Sequence, residues 1–328
     1  MARKPKWYAF RLRTAVFLAV LAVPASGAWF LVQPLLPPTV GKGPAGPEVP
    51  LEPFRRPWNE GRVVLLGLGD SITRGFGAAG GHGYFDLLAK NDDERHPDLK
   101  GRELRAVFPR LQTRNGAVSS SVSADHLKRQ LPRVEPYPPE VTGVVVLTTG
   151  GNDVIHDYGR HPPRDGAMYG ATLPQAQPWI DGFRSRLREL LQGIQSKFPG
   201  GCQIFLANIY DPTDGAGDIE GTRQLPAGPG GLSGHELPAW QDGLKVLEAM
   251  NTVIAATARE FPNVHLVDLH ALFLGHGLHS RDWSSPHYSR RDPHYWYYLN
   301  LEDPNERGYD AIRRLFLLEM VKVFGVGR

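Results

Sequence analysis

Five short apolar runs, each rich in β-branched residues and separated by longer stretches with helical spacing, restrict this chain more than any other feature. The runs span residues 62–68, 103–111, 141–147, 203–208 and 265–267. Apolar residues recur every three to four positions over 177–198, 240–261 and 306–324, and a shorter helix is expected at 125–131. Strands that are apolar along their whole length belong in a parallel sheet covered on both faces. Right-handed crossovers then give an α/β protein, a three-layer α/β/α sandwich around a central, mostly parallel five-stranded sheet. Chemistry in such sheets gathers at the carboxyl ends of the strands. No internal repeat and no heptad pattern competes with this reading.

The first 36 residues have a different character. They hold Arg3, Lys4, Lys6, Arg11 and Arg13, no acid, and an apolar stretch from Thr14 to Val32 interrupted by Pro24. Two readings stand. A cleaved export signal would use Ala25, Ser26 and Gly27 for processing. An uncleaved anchor would use the whole stretch, near the length a bilayer core requires. Either places the body outside the cytoplasm, secreted or tethered to the outer face of the cytoplasmic membrane. Residues 37–60 carry seven prolines among glycines and read as a linker, because proline lacks the N–H that helix and sheet need. The body is then 61–328. The formal charge of +3 falls to −2 once the five N-terminal cations are set aside, so the body carries no nucleic-acid footprint. A single cysteine, Cys202, excludes a disulfide framework and fits a small core residue.

Three of the strands run into polar, glycine-assisted turns. The first ends in Gly67-Leu68-Gly69-Asp70-Ser71, where a serine can project above the sheet with its N–H free for an oxyanion, or can merely cap a helix. The second ends in Arg114-Asn115-Gly116-Ala117-Val118-Ser119-Ser120. The third ends in Thr149-Gly150-Gly151-Asn152-Asp153, where Asn152 offers an amide donor or is a simple turn asparagine. A nucleophile and two further donors can converge on one point there.

These blocks resemble the SGNH/GDSL hydrolase superfamily, over about residues 62–325. The resemblance implies a flavodoxin-like SGNH fold and hydrolysis of an ester by a serine, with no metal or organic cofactor. Carried over, Ser71 matches the nucleophile and Asn152 the oxyanion asparagine. The backbone N–H of the second block falls on Ala117, or on Gly116 if the register slips. The implied substrate is a small-molecule, lipid or glycan ester. The family's histidine-bearing block is matched by Asn300-Leu301-Glu302-Asp303-Pro304-Asn305-Glu306-Arg307-Gly308, with Asp303 in the histidine position and Asn300 in the aspartate position.

Three accounts of the base follow from that departure. A histidine from the insert before the last helix, which holds His276, His279, His287 and His294, folds over Ser71; His294 lies nearest, and Asp303 or Asp292 would orient it. Alternatively Asp303 is itself the base, which requires burial to raise its pKa. In the third account the domain binds without cleaving, as a silent module at the cell envelope. A nucleotide-binding reading of 67–75 lacks the third fingerprint glycine and a following lysine. The acidic, glycine-rich stretch 211–220 offers either a calcium loop or a rim to the site, and its continuation to Leu237 a lid or substrate wall. The aromatic residues Trp283, Tyr288 and Tyr295–Tyr298 either line a pocket or anchor the insert. Arg313 and Arg314 face solvent or pair with acids.

Overall fold

The computed structural model describes residues 41, 43–155, 170–224, 235–237 and 239–325. The N-terminal segment 1–36, and with it the export signal or anchor, lies outside the described residues, as do 225–234 of the expected lid. Among the described residues no helix is long and apolar enough to cross a membrane.

Five parallel strands form the central sheet: β1 (Arg62–Gly69), β2 (Arg110–Asn115), β3 (Val141–Thr148), β4 (Cys202–Ala207) and β5 (Val264–Val267), in the order β2-β1-β3-β4-β5. The period of two divides each strand cleanly between two cores. Val64, Leu66, Leu68, Val145, Leu147, Ile204 and Leu206 face one side, with helices α4 (Leu173–Ser196) and α5 (Gly243–Arg259). Val63, Leu65, Val144, Val146, Phe205 and Ala207 face the other, with α2 (Tyr84–Ala89) and α7 (Glu306–Met320).

Four of the five expected strands fall within a residue or two of their places. The second does not. Residues 104–107, expected as strand, form a helical turn that buries Leu104 and Val107, and the strand begins at Arg110. The reason is position. β2 is an edge strand with most of its side chains exposed, so its sequence is polar and gives no apolar run. The expected helix at 125–131 is present within a continuous helical stretch of three short segments of different winding, Ser123–Asp125, His126–Gln130 and Leu131–Arg133.

The described part of the expected linker does not hang free. From Gly43 onward it packs on the body, burying Ala45, Val49 and Phe54. Ala45 N–H donates to Asp310 Oδ2 at 3.0 Å, and Arg307 Nη1 donates to the Gly43 carbonyl at 2.7 Å. Asp310 also receives Arg313 Nε at 2.8 Å and Arg314 Nε at 3.0 Å, so both arginines are buried and paired, and their charges hold the Asp310 carboxyl below its ordinary value against its burial. Prolines here set an extended path that apolar side chains then dock. A chain beginning at residue 61 should unfold at lower denaturant than one beginning at 41. The loss should be about 3–5 kcal/mol for the buried Val49 and Phe54 side chains, read from equilibrium unfolding.

Candidate active site

The strand order reverses between β1 and β3, because the connection from β2 passes over β1 to reach β3. Open α/β sheets keep their ligand crevice at such a point. Gly69 of β1 pairs with Thr148 of β3, so the two strands end at one level and release their turns side by side.

The first turn leaves no choice of residue at its start. Gly69 has φ +128°, and a Cβ there would stand 2.2 Å from the Thr148 carbonyl oxygen. Asp70 follows as N-cap of the single-turn α1 (Ser71–Arg74), accepting from Ile72 N–H at 3.1 Å. Its other bond fixes a directional chain. Thr148 donates to Asp70 Oδ1 at 2.7 Å, which leaves Thr73 to donate to Thr148 at 2.8 Å and Tyr84 to donate to Thr73 at 2.7 Å. Burial raises the Asp70 carboxyl to about 6, and the Asp303 charge adds to the shift, against the Thr148 and Ile72 hydrogen bonds.

The second turn is tied to the first by one side chain. Gln130 Oε1 accepts the Gly69 N–H at 3.0 Å while its Nε2 donates to the Gly69 carbonyl at 2.8 Å and to Ser121 Oγ at 3.0 Å. Val118 N–H reaches the same carbonyl at 3.0 Å. The Ser121 hydroxyl proton is committed to the Val118 or Gly69 carbonyl, at 2.6 and 3.1 Å. His126 Nε2, 2.9 Å away, therefore donates to Ser121, and its Nδ1 accepts from Thr149 at 2.8 Å. Burial pushes this imidazole down to about 4, so it is neutral.

The third turn presents Asn152 from the first residues of α3 (Gly151–Ile155). Its Nδ2 donates to the Ser121 carbonyl at 2.9 Å, which fixes the amide and leaves its second N–H without a partner among the described residues. Asp153 behind it accepts from Ser123 N–H at 2.9 Å and from Arg186 at 3.3 Å.

Ser71 and Asn152 lie together in the wall of an open cleft of about 760 Å³, counting the space continuous with solvent. Ile72, Val154, Ile209, Ile219, Trp240 and Leu247 make much of the rest of that wall apolar. The insert aromatics are not in it. Trp296 and Tyr297 are buried in the core, and Tyr298 sits edge-on to Phe76.

Ala117 does not offer the donor expected of it. Its N–H goes to Asn115 Oδ1 at 3.1 Å, and that of Gly116 goes to the Gly67 carbonyl at 2.8 Å. Asn115 thus closes a local turn on its own backbone. Three residues later Ser120 has φ +62°, in a turn closed by Ser121 N–H on the Val118 carbonyl. Among the described residues the backbone N–H groups of Ser71, Ser119 and Ser120 have no hydrogen-bond partner.

His294 is also placed elsewhere. Its Nδ1 pairs with Asp292 at 2.5 Å, Asp292 in turn receives Arg307 at 2.6 Å, and its ring packs so closely on Gly41 that a Cβ there would clash. None of the insert histidines lines the cleft. His276 stacks on Trp296 with ring centroids 3.4 Å apart, His279 meets Asp218 at 2.9 Å, and His287 lies against Gly215. Asp303 does lie against Ser71, whose hydroxyl favours its charged form. In the acidic stretch Asp211 and Asp214 spend their carboxylates on hydrogen bonds within the protein. Asp214 accepts from Gly275, Gly277 and His279 N–H groups at 2.9 Å each, Asp211 accepts from Thr213 and Gly215, and the described residues contain no cluster fit for a metal.

The model of the GDSL-like lipase/acylhydrolase family matches residues 68–311. The chain belongs to that family. A phospholipase A1 from Streptomyces albidoflavus is 18% identical, with 80% of this chain and 99% of that one covered and a TM-score of 0.49. An extracellular lipase from Streptomyces rimosus is 18% identical over 79% and 99%, with a TM-score of 0.48. A catalytic mutant of an acetylxylan esterase from Geobacillus stearothermophilus is 18% identical over 80% and 95%, with a TM-score of 0.45. No curated protein matches. The five-stranded parallel sheet and its flanking helices make an α/β fold, and family membership supports an ester-hydrolysing enzyme.

Ser120, Ser121, His126 and Gln130 escaped sequence reading in this GDSL-like hydrolase. Their signal was three serines after a glycine-poor turn and two polar residues in what looked like an ordinary helix. His126 should stay neutral by NMR down to about pH 4. A folded pKa below the ordinary 6.5 means its contribution to stability is full above 6.5 and is lost as pH falls through 4. A His126→Gln variant should therefore lose less stability than the parent over that window, measured by denaturant unfolding.

Proposed function

We propose that this GDSL-like hydrolase cleaves carboxylic esters by acyl transfer through Ser71. The observation that carries the reading is the meeting of Ser71 with Asn152 in the wall of one apolar cleft, at the strand-order reversal. Ser71 Oγ attacks the ester carbon. The oxyanion that forms is held by the N–H groups of Ser71 and Ser120 and by the free N–H of Asn152. Ser120 replaces Ala117 in this role because its N–H is uncommitted and its positive φ turns the Ser119–Ser120 peptide. Such donors act mainly on the transition state, where charge has moved onto the oxygen.

The apolar wall supports an acyl chain rather than a sugar on the acid side of the ester. Each methylene buried there is worth about 0.8 kcal/mol, or roughly fourfold in kcat/KM. The basic flank and apolar stretch of residues 1–36 support export of the enzyme, to the medium or to the outer face of the membrane. A second reading, in which the cleft binds an acyl group without cleaving it, is favoured by one observation, the lack of a histidine among the described residues in its wall.

Hydrolysis of p-nitrophenyl esters tests both. Ser71→Ala should reduce turnover to the uncatalysed rate. Asn152→Ala should lower kcat by about 10²–10³-fold with little change in KM. Butyryl and longer esters should outrun acetyl. A folded parent that turns over none of these esters would leave the binding reading in place.

A further inference from the structure

The reaction at Ser71 needs a proton acceptor. Both ring nitrogens of the buried His126 are committed, and the insert histidines are held elsewhere. Asp303 is different. It is 2% exposed and lies against the Ser71 hydroxyl. Its Oδ2 accepts from Asn300 Nδ2 at 2.6 Å, and Asn300 Oδ1 takes the Asp303 N–H at 3.2 Å. Its Oδ1 is buried with no hydrogen-bond partner. A buried carboxylate oxygen without a donor is costly, and a proton arriving from a neighbouring hydroxyl would satisfy it.

The loop that carries Asp303 is held rigidly. Tyr298 N–H donates to the Asp303 carbonyl at 2.7 Å. Asn305 ties back to the Tyr295 and Tyr297 carbonyls at 2.8 and 3.1 Å and caps α7. Leu301 sits at φ +61°, a conformation that is uncommon outside glycine, in the cleft wall two residues before Asp303. Among the described residues the ionisable groups around the carboxylate are Asp70 from the end of β1, Tyr210 from beyond β4, Tyr309 from α7 and the adjoining Glu302. None of these is a cation.

We propose that Asp303 is the proton acceptor of Ser71, so that the enzyme works with a serine–aspartate pair and no histidine relay. This rests on the reading of Ser71 as nucleophile. In acylation the Ser71 Oγ–H proton passes to Asp303 Oδ1 as the Oγ–C bond forms and the carbonyl electron pair moves onto oxygen. When the tetrahedral species collapses, the C–O bond to the leaving group breaks and Asp303 returns the proton to the departing alkoxide. In deacylation water gives a proton to Asp303 as its oxygen bonds the acyl carbon. Ser71 Oγ then leaves and recovers that proton. An exposed aspartate is too weak a base for this. Burial raises the Asp303 carboxyl above its ordinary range, with the Ser71 hydroxyl and the Asn300 amide offsetting part of the rise.

The sign of the linkage gives a second readout. A folded pKa above the unfolded one stabilises the protein at low pH, and that stabilisation is lost as pH rises through the folded pKa. Asp303→Asn removes this loss, so against the parent it should gain stability in going from acid to neutral pH.

The test is kcat/KM for p-nitrophenyl butyrate across the pH range where the fold is intact, for the full-length parent, Ser71→Ala, Asp303→Asn, Asp303→Glu and His294→Ala. The parent should show an acid limb from a single carboxylate titrating above the usual range. Asp303→Asn should fall by about 10²–10⁴-fold and lose that limb. Asp303→Glu should keep part of the activity with the limb displaced, and His294→Ala should match the parent. Asp303→Asn within about tenfold of the parent, or with the limb unchanged, would overturn the proposal. Should Asp303→Asn fail to fold, an unmoved limb in Asp303→Glu would do the same. Activity surviving in Ser71→Ala would instead overturn the reading of the nucleophile.

Discussion

One side-chain amide holds the site together. Gln130 brackets the Gly69 peptide, accepting from its N–H and donating to its carbonyl, and reaches Ser121 with the same nitrogen. Gly69 is the residue at which β1 gives way to the Ser71 turn, and its φ of +128° admits no side chain. Two of the three strand-end turns are therefore fixed on one peptide. The third joins through Asn152 on the Ser121 carbonyl. Every bond in this set is buried or partly buried, so each is made in surroundings where leaving it unmade is expensive. The donors proposed for the oxyanion are thus held by turns that are fixed before substrate arrives, the condition under which such donors assist a reaction.

Several buried acids of the protein carry raised pKa values. Asp70 and Asp214 are both raised to about 6 by burial, and Asp303 is raised as well. Asp214 is held by three backbone N–H groups of the insert, and Asp70 by a hydroxyl and a backbone N–H. The arginines that neutralise buried charge, Arg313 and Arg314, serve Asp310 and the docked segment after Gly43 instead. Two of these carboxylates, Asp70 and Asp303, adjoin Ser71, the residue proposed as nucleophile, and burial raises both.

The sheet was legible because its signal is redundant. Buried parallel strands must be apolar along their length, and four of the five announced themselves in that way. The edge strand β2 did not, since solvent on one side allows Arg110, Gln112, Thr113 and Arg114. The turns that carry Ser71 and Asn152 were legible because glycines mark them. The remaining parts of the site depend on which backbone groups are already spent, and sequence does not carry that information. Ala117 is not a free donor because Asn115 takes its N–H, and Ser120, proposed in its place, sits at a positive φ that glycine usually announces. His294 failed because Asp292 and Arg307 draw it to the segment at Gly41, a contact between residues far apart in the chain. The linker reading failed because proline content reports an absence of regular structure, not an absence of packing.

The structure of a phosphonate adduct tests the central claim most directly. A phosphonate ester that acylates the nucleophile leaves a phosphoryl oxygen where the oxyanion would stand. The account predicts phosphorus bonded to Ser71 Oγ and that oxygen within about 2.7–3.1 Å of the Ser71 and Ser120 nitrogens and Asn152 Nδ2. Phosphorus on another residue, or an oxygen turned away from these three donors, would contradict it.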